Sequence, residues 1–328
     1  IKSYVNFHKR RKYMRSTIKD VANRANVSIA TVSRYLNHSG YVNFDTAKRI
    51  KDAIKQLDYR PPKHAFKKEI STTIKVILPS ITNPLYAEFY EEILTKLDKT
   101  PYSAVLEINN LEHPSIDPYL KQIKENKIAG IITSSPLEIN PKDASVHLPI
   151  VSFDRHINKV CLIHCNNLDG GYKIAARVLS LGKKNILILA GSRNDFYPIN
   201  NRIKGMLAVF NHYKIKYQSS YLDFDDSITA KKIQIAQILN DKQFDAICCT
   251  DDVTAILVKN YTDKLDYHPI ITGFDGTEFI HNIFPDLITV KQHIKDIADL
   301  CCDVLIQKIE HPSKAVQEQY LFPVTLLN

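Results

Sequence analysis

Residues 17 to 37 read TIKDVANRANVSIATVSRYLN, and the spacing of their apolar positions decides how the first part of the chain folds. Ile18, Val21, Ala22 and Ala25 fall at i, i+3, i+4 and i+7, which is one face of a helix. Thr17 with Asp20 three residues on has the form of a capping box. Asn26-Val27-Ser28 supplies a tight turn that caps a second helix, in which Val32 and Leu36 share a face. Ile50, Ala53, Ile54 and Leu57 repeat the first spacing. Three short helices are predicted over residues 16 to 60, with nothing strand-like among them.

With Val32 and Leu36 turned inward, Ile29, Ala30, Ser33 and Arg34 lie on the outer side of the second helix, where a recognition helix meets a major groove. A guanidinium can bond guanine O6 and N7 together, so Arg34 is the expected base reader, while Ile29 and Ala30 can touch thymine methyls. Ser28, Thr31, Ser33 and Asn37 are short hydrogen-bonding residues suited to phosphate oxygens. Charge agrees with this. Residues 1 to 68 carry 17 Lys and Arg against 4 Asp and Glu, a net +13 in a chain whose total is +9. Such a block is the footprint of a nucleic-acid surface or of an anionic membrane. Composition alone also allows a small solvated bundle.

Outward from the helices, Tyr59-Arg60-Pro61-Pro62 breaks the pattern, because each residue before a proline is pushed out of the helical region. Residues 61 to 70 are read as a hinge linker. Beyond it, short β-rich runs (Ile74 to Leu78, Ala104 to Ile108, Gly130 to Thr133, Ile150 to Phe153, Ile186 to Ala190, Ala246 to Thr250 and Ile270 to Phe274) alternate with helical stretches. That alternation predicts parallel sheets with crossover helices. The strands are too many for one compact sheet, so two lobes are expected, with a ligand cleft between them.

Several functions are disfavoured. The 9 glycines form no G-x-G-x-x-G or P-loop pattern, and no Ser/His/Asp constellation stands in a recognisable turn, so an enzyme is not expected. The 12 histidines, His164 and His293 among them, stand singly. The six cysteines, Cys161, Cys165, Cys248, Cys249, Cys301 and Cys302, lack metal-ligand spacing and read as buried reduced thiols; no cofactor or metal is expected. No apolar run reaches the roughly 18 residues of a membrane span, and the N-terminus carries charge where a signal peptide needs its apolar region. A cytoplasmic protein is expected rather than a secreted receptor. The chain begins at Ile1 with Met14 just ahead of the patterned segment, and residues 1 to 13 are given no functional weight.

Thr17-Ile18-Lys19-Asp20-Val21-Ala22, Val27-Ser28, Ala30-Thr31-Val32-Ser33-Arg34, Leu36-Asn37 and Tyr59-Arg60-Pro61 together resemble the headpiece of LacI/GalR family transcriptional repressors. The resemblance extends to the C-terminus through Ile81 to Tyr86, Phe153-Asp154-Arg155, Asn166 to Gly171, Arg202 to Gly205, Thr250-Asp251-Asp252, Gly273 to Gly276 and Thr289 to Gln292. It implies an α-helical helix-turn-helix headpiece (16–60) followed by an α/β two-lobed periplasmic-binding-protein-like domain (71–328). Lobe 1 would hold residues 71–157 and 292–318, and lobe 2 residues 158–291 and 319–328, with Leu321 to Leu327 as one last strand. Asp251 to Leu257, Gly273 to Thr277, Gln292 to Ile309 and Tyr320 to Val324 resemble most the sucrose operon repressors of Gram-positive bacteria.

By that resemblance, Thr17, Tyr59, Ala65, Phe66 and Lys68 join the DNA-binding set. Relatives carry Pro-Asn after the tyrosine, then Ala-Arg, and a leucine that wedges into the minor groove. Here those places hold Pro61-Pro62, Ala65-Phe66 and Lys68, and a lysine cannot act as an apolar wedge. For the effector, the family implies Asp275 as an acceptor of sugar hydroxyls, Arg202 as a double donor, Asp251 where many relatives have Asn, Asp154 as a first-lobe acceptor and Tyr86 as an aromatic surface. Each has a structural alternative. Asp154 can pair with Arg155, Tyr86 can be core, Arg202 and Asp275 can be structural, and Asp252 can cap the next helix. The partners implied are operator double-stranded DNA, a second copy of the chain, and a small carbohydrate (sucrose, fructose or a phosphorylated sugar) that releases the DNA, with a corepressor protein as the alternative logic.

Overall fold

The computed structural model describes residues 16–36, 42–60, 71–109, 115–145, 147–191, 198–223, 226–240 and 242–328. The chain divides into two compact units, residues 1–70 and 71–328.

The first unit holds α1 (Ile18–Ala25), α2 (Ile29–Leu36) and α3 (Phe44–Gln56). The capping box at α1 is closed on both sides: the Thr17 hydroxyl accepts from the Asp20 N–H at 3.3 Å, and the Asp20 carboxylate accepts from the Thr17 N–H at 2.8 Å. Asn26 ends α1 in the left-handed region, φ 52°, a conformation Asn tolerates better than most residues. Ser28 then starts α2, its hydroxyl accepting from the Thr31 N–H at 3.1 Å. Val21, Ala22, Ala25, Val32, Ile50 and Ala53 form the core, with Leu36 and Leu57 packed against it.

The second unit begins with β1 (Thr73–Leu78), α4 (Pro84–Leu97), β2 (Ser103–Ile108), α5 (Asp117–Lys124), β3 (Gly130–Thr133), β4 (Ile150–Phe153) and β5 (Cys161–Cys165). It continues through α6 (Asn167–Ser180), β6 (Asn185–Ala190), α7 (Asn201–His212), β7 (Lys216–Tyr221), α8 (Ile228–Leu239), β8 (Ala246–Cys249), α9 (Asp252–Thr262), β9 (Ile270–Thr272), α10 (Glu278–Ile283) and β10 (Thr289–Gln292). Last come α11 (Ile294–Glu310), β11 (Gln319–Phe322) and β12 (Val324–Leu327). One sheet has the order β11-β5-β4-β3-β1-β2 and the other β7-β6-β8-β9, both parallel throughout. An antiparallel ribbon joins β10 to β12.

Each sheet is buried on two faces, as parallel sheets must be. Along β6, Ile186 and Ile188 pack in one cluster with Ile174, Val178, Met206 and Phe210 of α6 and α7, while Leu187 and Leu189 pack in another with Ile235 and Val258 of α8 and α9. β1 divides likewise, with Ile74, Val76 and Leu78 toward α4 and α11 and Ile77 toward Leu120 of α5.

The seven expected strands are all present. Two boundaries differ from expectation. Cys161–Cys165 pairs with Ile150–Phe153 and so belongs to the first-lobe sheet, which moves the crossing from residue 157 to the step between Cys165 and Asn166. The single final strand is also two: Gln319–Phe322 pairs with β5 in the first lobe, and Val324–Leu327 pairs with β10. Pro323 stands between them and has no N–H to continue a ladder. The chain thus crosses between lobes after Cys165, after Gln292 and at Pro323. All six cysteines are buried and free. Among the described residues, no helix is long and apolar enough to cross a membrane.

Candidate DNA-reading face and effector site

The outer side of α2 is formed as its spacing requires. Ile29 is 46% exposed, Ser28, Ala30 and Arg34 are exposed, and Thr31 and Ser33 are half-buried. Ile29, open on this side, is suited to a groove floor carrying thymine methyls. Thr17 and Ser28 are committed to capping α1 and α2, but both are exposed. Tyr59 differs from expectation. Its ring is 6% exposed in the headpiece core, and burial pushes its phenol pKa up, so it holds the bundle together rather than facing outward. Asn37, Ala65, Phe66 and Lys68 lie outside the described residues.

In the second unit, Arg202 is the hub. Its guanidinium is 1% exposed and stacks on Phe274, 3.6 Å from the ring centroid. Nε donates to Asn167 Oδ1 at 2.7 Å, and Nη1 donates to the Thr250 carbonyl at 2.6 Å and to Asp275 Oδ1 at 3.1 Å. Gln292 Nε2 donates to the same Asp275 oxygen at 2.9 Å. Three strand or helix ends therefore converge on one cation, and a fourth, at Gln292, reaches it through Asp275. The glycines explain how. A Cβ on Gly171 would strike the Arg202 carbonyl and one on Gly205 the Leu168 carbonyl, so α6 and α7 touch backbone to backbone, which only glycine permits.

Asp275 is 5% exposed with φ 121°, and Asp154 is 4% exposed with φ 53°. Left-handed φ in a buried non-glycine residue is strain held by its surroundings, and it clusters at functional sites. The two acids occupy equivalent places, each following a Phe near the end of a strand: Phe153-Asp154 in one lobe and Phe274-Asp275 in the other. Burial raises both carboxyl pKa values, opposed in each case by Arg202. Asp154 Oδ1 and Gln292 Oε1 are buried with no hydrogen-bond partner. Arg155 Nη2 donates to the Tyr86 hydroxyl at 3.4 Å and Nη1 to the Asp154 carbonyl at 3.0 Å. Tyr86 is 4% exposed, so its ring lies in the first-lobe core and its hydroxyl is the polar part of interest. The lobes meet nearby: Leu85 lies against the same seam as Asp252, Asp275 and Thr277, and the Glu88 carboxylate accepts from the Glu278 N–H at 2.9 Å.

The two acids at the end of β8 exchange roles relative to expectation. Asp251 is the helix cap: Oδ1 accepts from the Thr254 N–H and Oδ2 from the Thr254 hydroxyl, both at 2.8 Å. Asp252, expected as a possible cap, is 2% exposed and accepts from the Thr289 hydroxyl at 2.6 Å and the Gly276 N–H at 2.7 Å. Burial pushes its carboxyl up to about 7 despite those bonds. A residue in extended conformation (φ −152°) before the first helical turn is the cap, and here that is Asp251. Asn167, Phe274, Gln292 and Asp252 join this buried cluster and were not among the expected candidates. The signal for them was present as polar or aromatic members of the quoted segments, but spacing could not show that those segments converge.

Residues 17–62 match the model of the bacterial regulatory proteins of the lacI family, and residues 102–310 match the periplasmic binding protein domain. The chain is 34% identical to the sucrose operon repressor of Streptococcus mutans, covering 96% of this chain and 99% of that protein. It is 33% identical to the sucrose operon repressor of Lactococcus lactis, covering 94% and 98%. The fold matches a lac repressor dimer crystallised with operator and an anti-inducer, at TM-score 0.67 and 22% identity over 96% of this chain and 98% of that one. A helix-turn-helix whose outer face is open, two parallel-sheet lobes around a buried arginine, and these full-length similarities together place the chain in the lacI family of bacterial regulatory proteins.

Proposed function

We propose that the chain represses a sucrose-utilisation operon and is released from its operator when a small carbohydrate enters between the lobes. It acts in the cytoplasm as a homodimer, because one short helix reads only a half-site and two half-sites demand two headpieces. Arg34 reads a base edge, Ile29 and Ala30 contact thymine methyls, and Ser28, Thr31, Ser33 and Thr17 position the helix on phosphates. Asp275, Asp154, Arg202 and the Tyr86 hydroxyl hold the sugar, and Asp251 supports the site by capping α9.

The observation that carries the reading is the buried Arg202 cluster, with Asp154 Oδ1 and Gln292 Oε1 left as unpartnered acceptors beside it. A buried acceptor without a donor costs free energy, and sugar hydroxyls supply donors. The relatives' activity as repressors speaks against an enzyme. The test is fluorescence anisotropy of labelled DNA from upstream of the sugar genes. Tight binding with a steep salt dependence, relieved by sucrose or fructose, supports the proposal. Binding that no sugar changes speaks against it, and binding that sugar tightens exchanges the inducer for a corepressor.

A further inference from the structure

The segment that carries Asp275 is held from two sides. On one side the Asp275 carboxylate accepts from Arg202 and Gln292. Three residues on, at the first residue of α10, the Glu278 N–H donates to the Glu88 carboxylate of α4 at 2.9 Å. The first N–H groups of a helix have no acceptor within it, and α10 finds acceptors in two places. The Thr277 hydroxyl takes the Ile280 N–H at 3.3 Å, and Glu88 takes the Glu278 N–H. Thr277 belongs to the same lobe as α10, whereas Glu88 belongs to the other.

Between the two anchors the backbone has φ 121° at Asp275 and 56° at Gly276, and a Cβ on Gly276 would strike the Lys291 backbone. The segment has little room to give, so a shift at one anchor is passed to the other. Glu88 is half-buried and stands one turn after Leu85, which lies on the same seam as Asp275 and Thr277. Burial raises the Glu88 carboxyl pKa, and the Glu278 N–H opposes the rise. The Glu278 side chain turns to Lys291, 3.4 Å away within its own lobe, and leaves its N–H to Glu88. A hydrogen bond weakens steeply once its geometry is lost, so a movement of one lobe on the other by about 1 Å breaks this one.

We propose that Glu88 is a positioning residue for the effector response: its bond to α10 holds the lobes in the arrangement seen here and sets how much sugar binding must contribute to change it. This rests on the two-state repressor reading above and adds the residue that balances the two states. A contact made in one arrangement and lost in the other biases the equilibrium between them. Operator and sugar prefer different arrangements in that reading, so removing the contact moves their affinities in opposite senses. Loss of folding, or of a contact to either ligand, does not do this.

The test compares the full-length parent with Glu88→Ala and Glu88→Gln, by anisotropy on operator DNA without sugar and by calorimetric titration with sucrose and fructose without DNA. Glutamine keeps a carbonyl that can accept the Glu278 N–H, and alanine keeps none. In Glu88→Ala one affinity should rise and the other fall, the larger change being about 3- to 10-fold, with Glu88→Gln closer to the parent in both. Affinities that both stay within about twofold of the parent, or that move in the same sense, contradict the inference and leave the effector site standing. A Glu88→Ala protein that sediments as a smaller species than the parent makes Glu88 a subunit contact and also overturns it. If the parent binds no sugar, the effector-site reading falls and the operator titration alone decides: a shift in Glu88→Ala that Glu88→Gln lacks supports the Glu88 contact, and equal affinity overturns it.

Discussion

At the scale of single residues, side chains open to a ligand are distinct from those that hold the fold. Arg34 is exposed on α2, so Arg34→Ala should weaken operator binding by about 1 to 3 kcal/mol and binding to scrambled DNA much less. Competition titrations on the two sequences check this, and equal losses would reduce Arg34 to a phosphate contact. Asp251 is assigned a structural task. Asp251→Ala removes the α9 cap and should cost about 1 kcal/mol of stability in urea unfolding, with sugar affinity changed less than severalfold. Asp252 makes a pH prediction. Its folded value of about 7 lies above the ordinary 3.8, so the folded chain binds more protons than the unfolded one between those values. The stability contributed by the neutral acid is complete below that window and is lost as pH rises through it. An Asn at this position can donate to the Thr289 hydroxyl and accept from the Gly276 N–H, as the protonated acid does. The gain in stability of Asp252→Asn over the parent should therefore be larger at pH 8 than at pH 5 by about 2 to 3 kcal/mol. Urea titrations at the two pH values would reveal an opposite or constant difference.

At the scale of elements, the α6–α7 pair carries the arginine hub on two glycines. Gly205→Ala places a methyl against the Leu168 carbonyl, backbone that cannot swing aside. It should cost about 1 to 3 kcal/mol or more and lower the melting temperature, while the same change at the open Gly182 meets no atom within 4 Å and is strained only by its φ of 76°. A Gly205→Ala protein as stable as the parent would mean that the helices are not in backbone contact. Elements of this kind divide sharply by how visible they were in sequence. The headpiece helices were legible because Ile18, Val21, Ala22 and Ala25 mark a face without help from distant residues. Ile74–Leu78 and Ile186–Ala190 were legible as buried apolar runs between turns. β7, with the sequence KYQSSY, was not, because most of this edge strand is exposed and polar. Tyr59 misled for a related reason: an aromatic at a domain boundary has the same local pattern whether it faces outward or folds back, and only the packing against Val21 and Ile50 decides. The candidate site was half legible. Asp275, Arg202 and Asp154 came through family resemblance, but the exchange of roles between Asp251 and Asp252 depends on which of two adjacent acids stands just before the first helical turn.

At the scale of the whole molecule, function requires that sugar and operator prefer different states of one protein. A ligand with equal affinity for both states shifts nothing, so the sugar must favour the lobe arrangement that operator disfavours. The second unit has parts suited to this. The acceptors awaiting donors, Asp154 and Gln292, belong to opposite lobes, three chain crossings allow one lobe to turn on the other, and Glu88 already reaches across to α10. The coupling must be reciprocal, which gives the most direct measurement of the central claim. Calorimetric titration of sucrose or fructose into the free protein and into the operator-bound protein should give two dissociation constants differing by about 10- to 100-fold, the operator-bound protein binding more weakly. The same factor should appear as the loss of operator affinity at saturating sugar. Equal sugar affinity with and without operator, or tighter binding to the operator complex, would contradict the account of this chain as an inducer-released repressor.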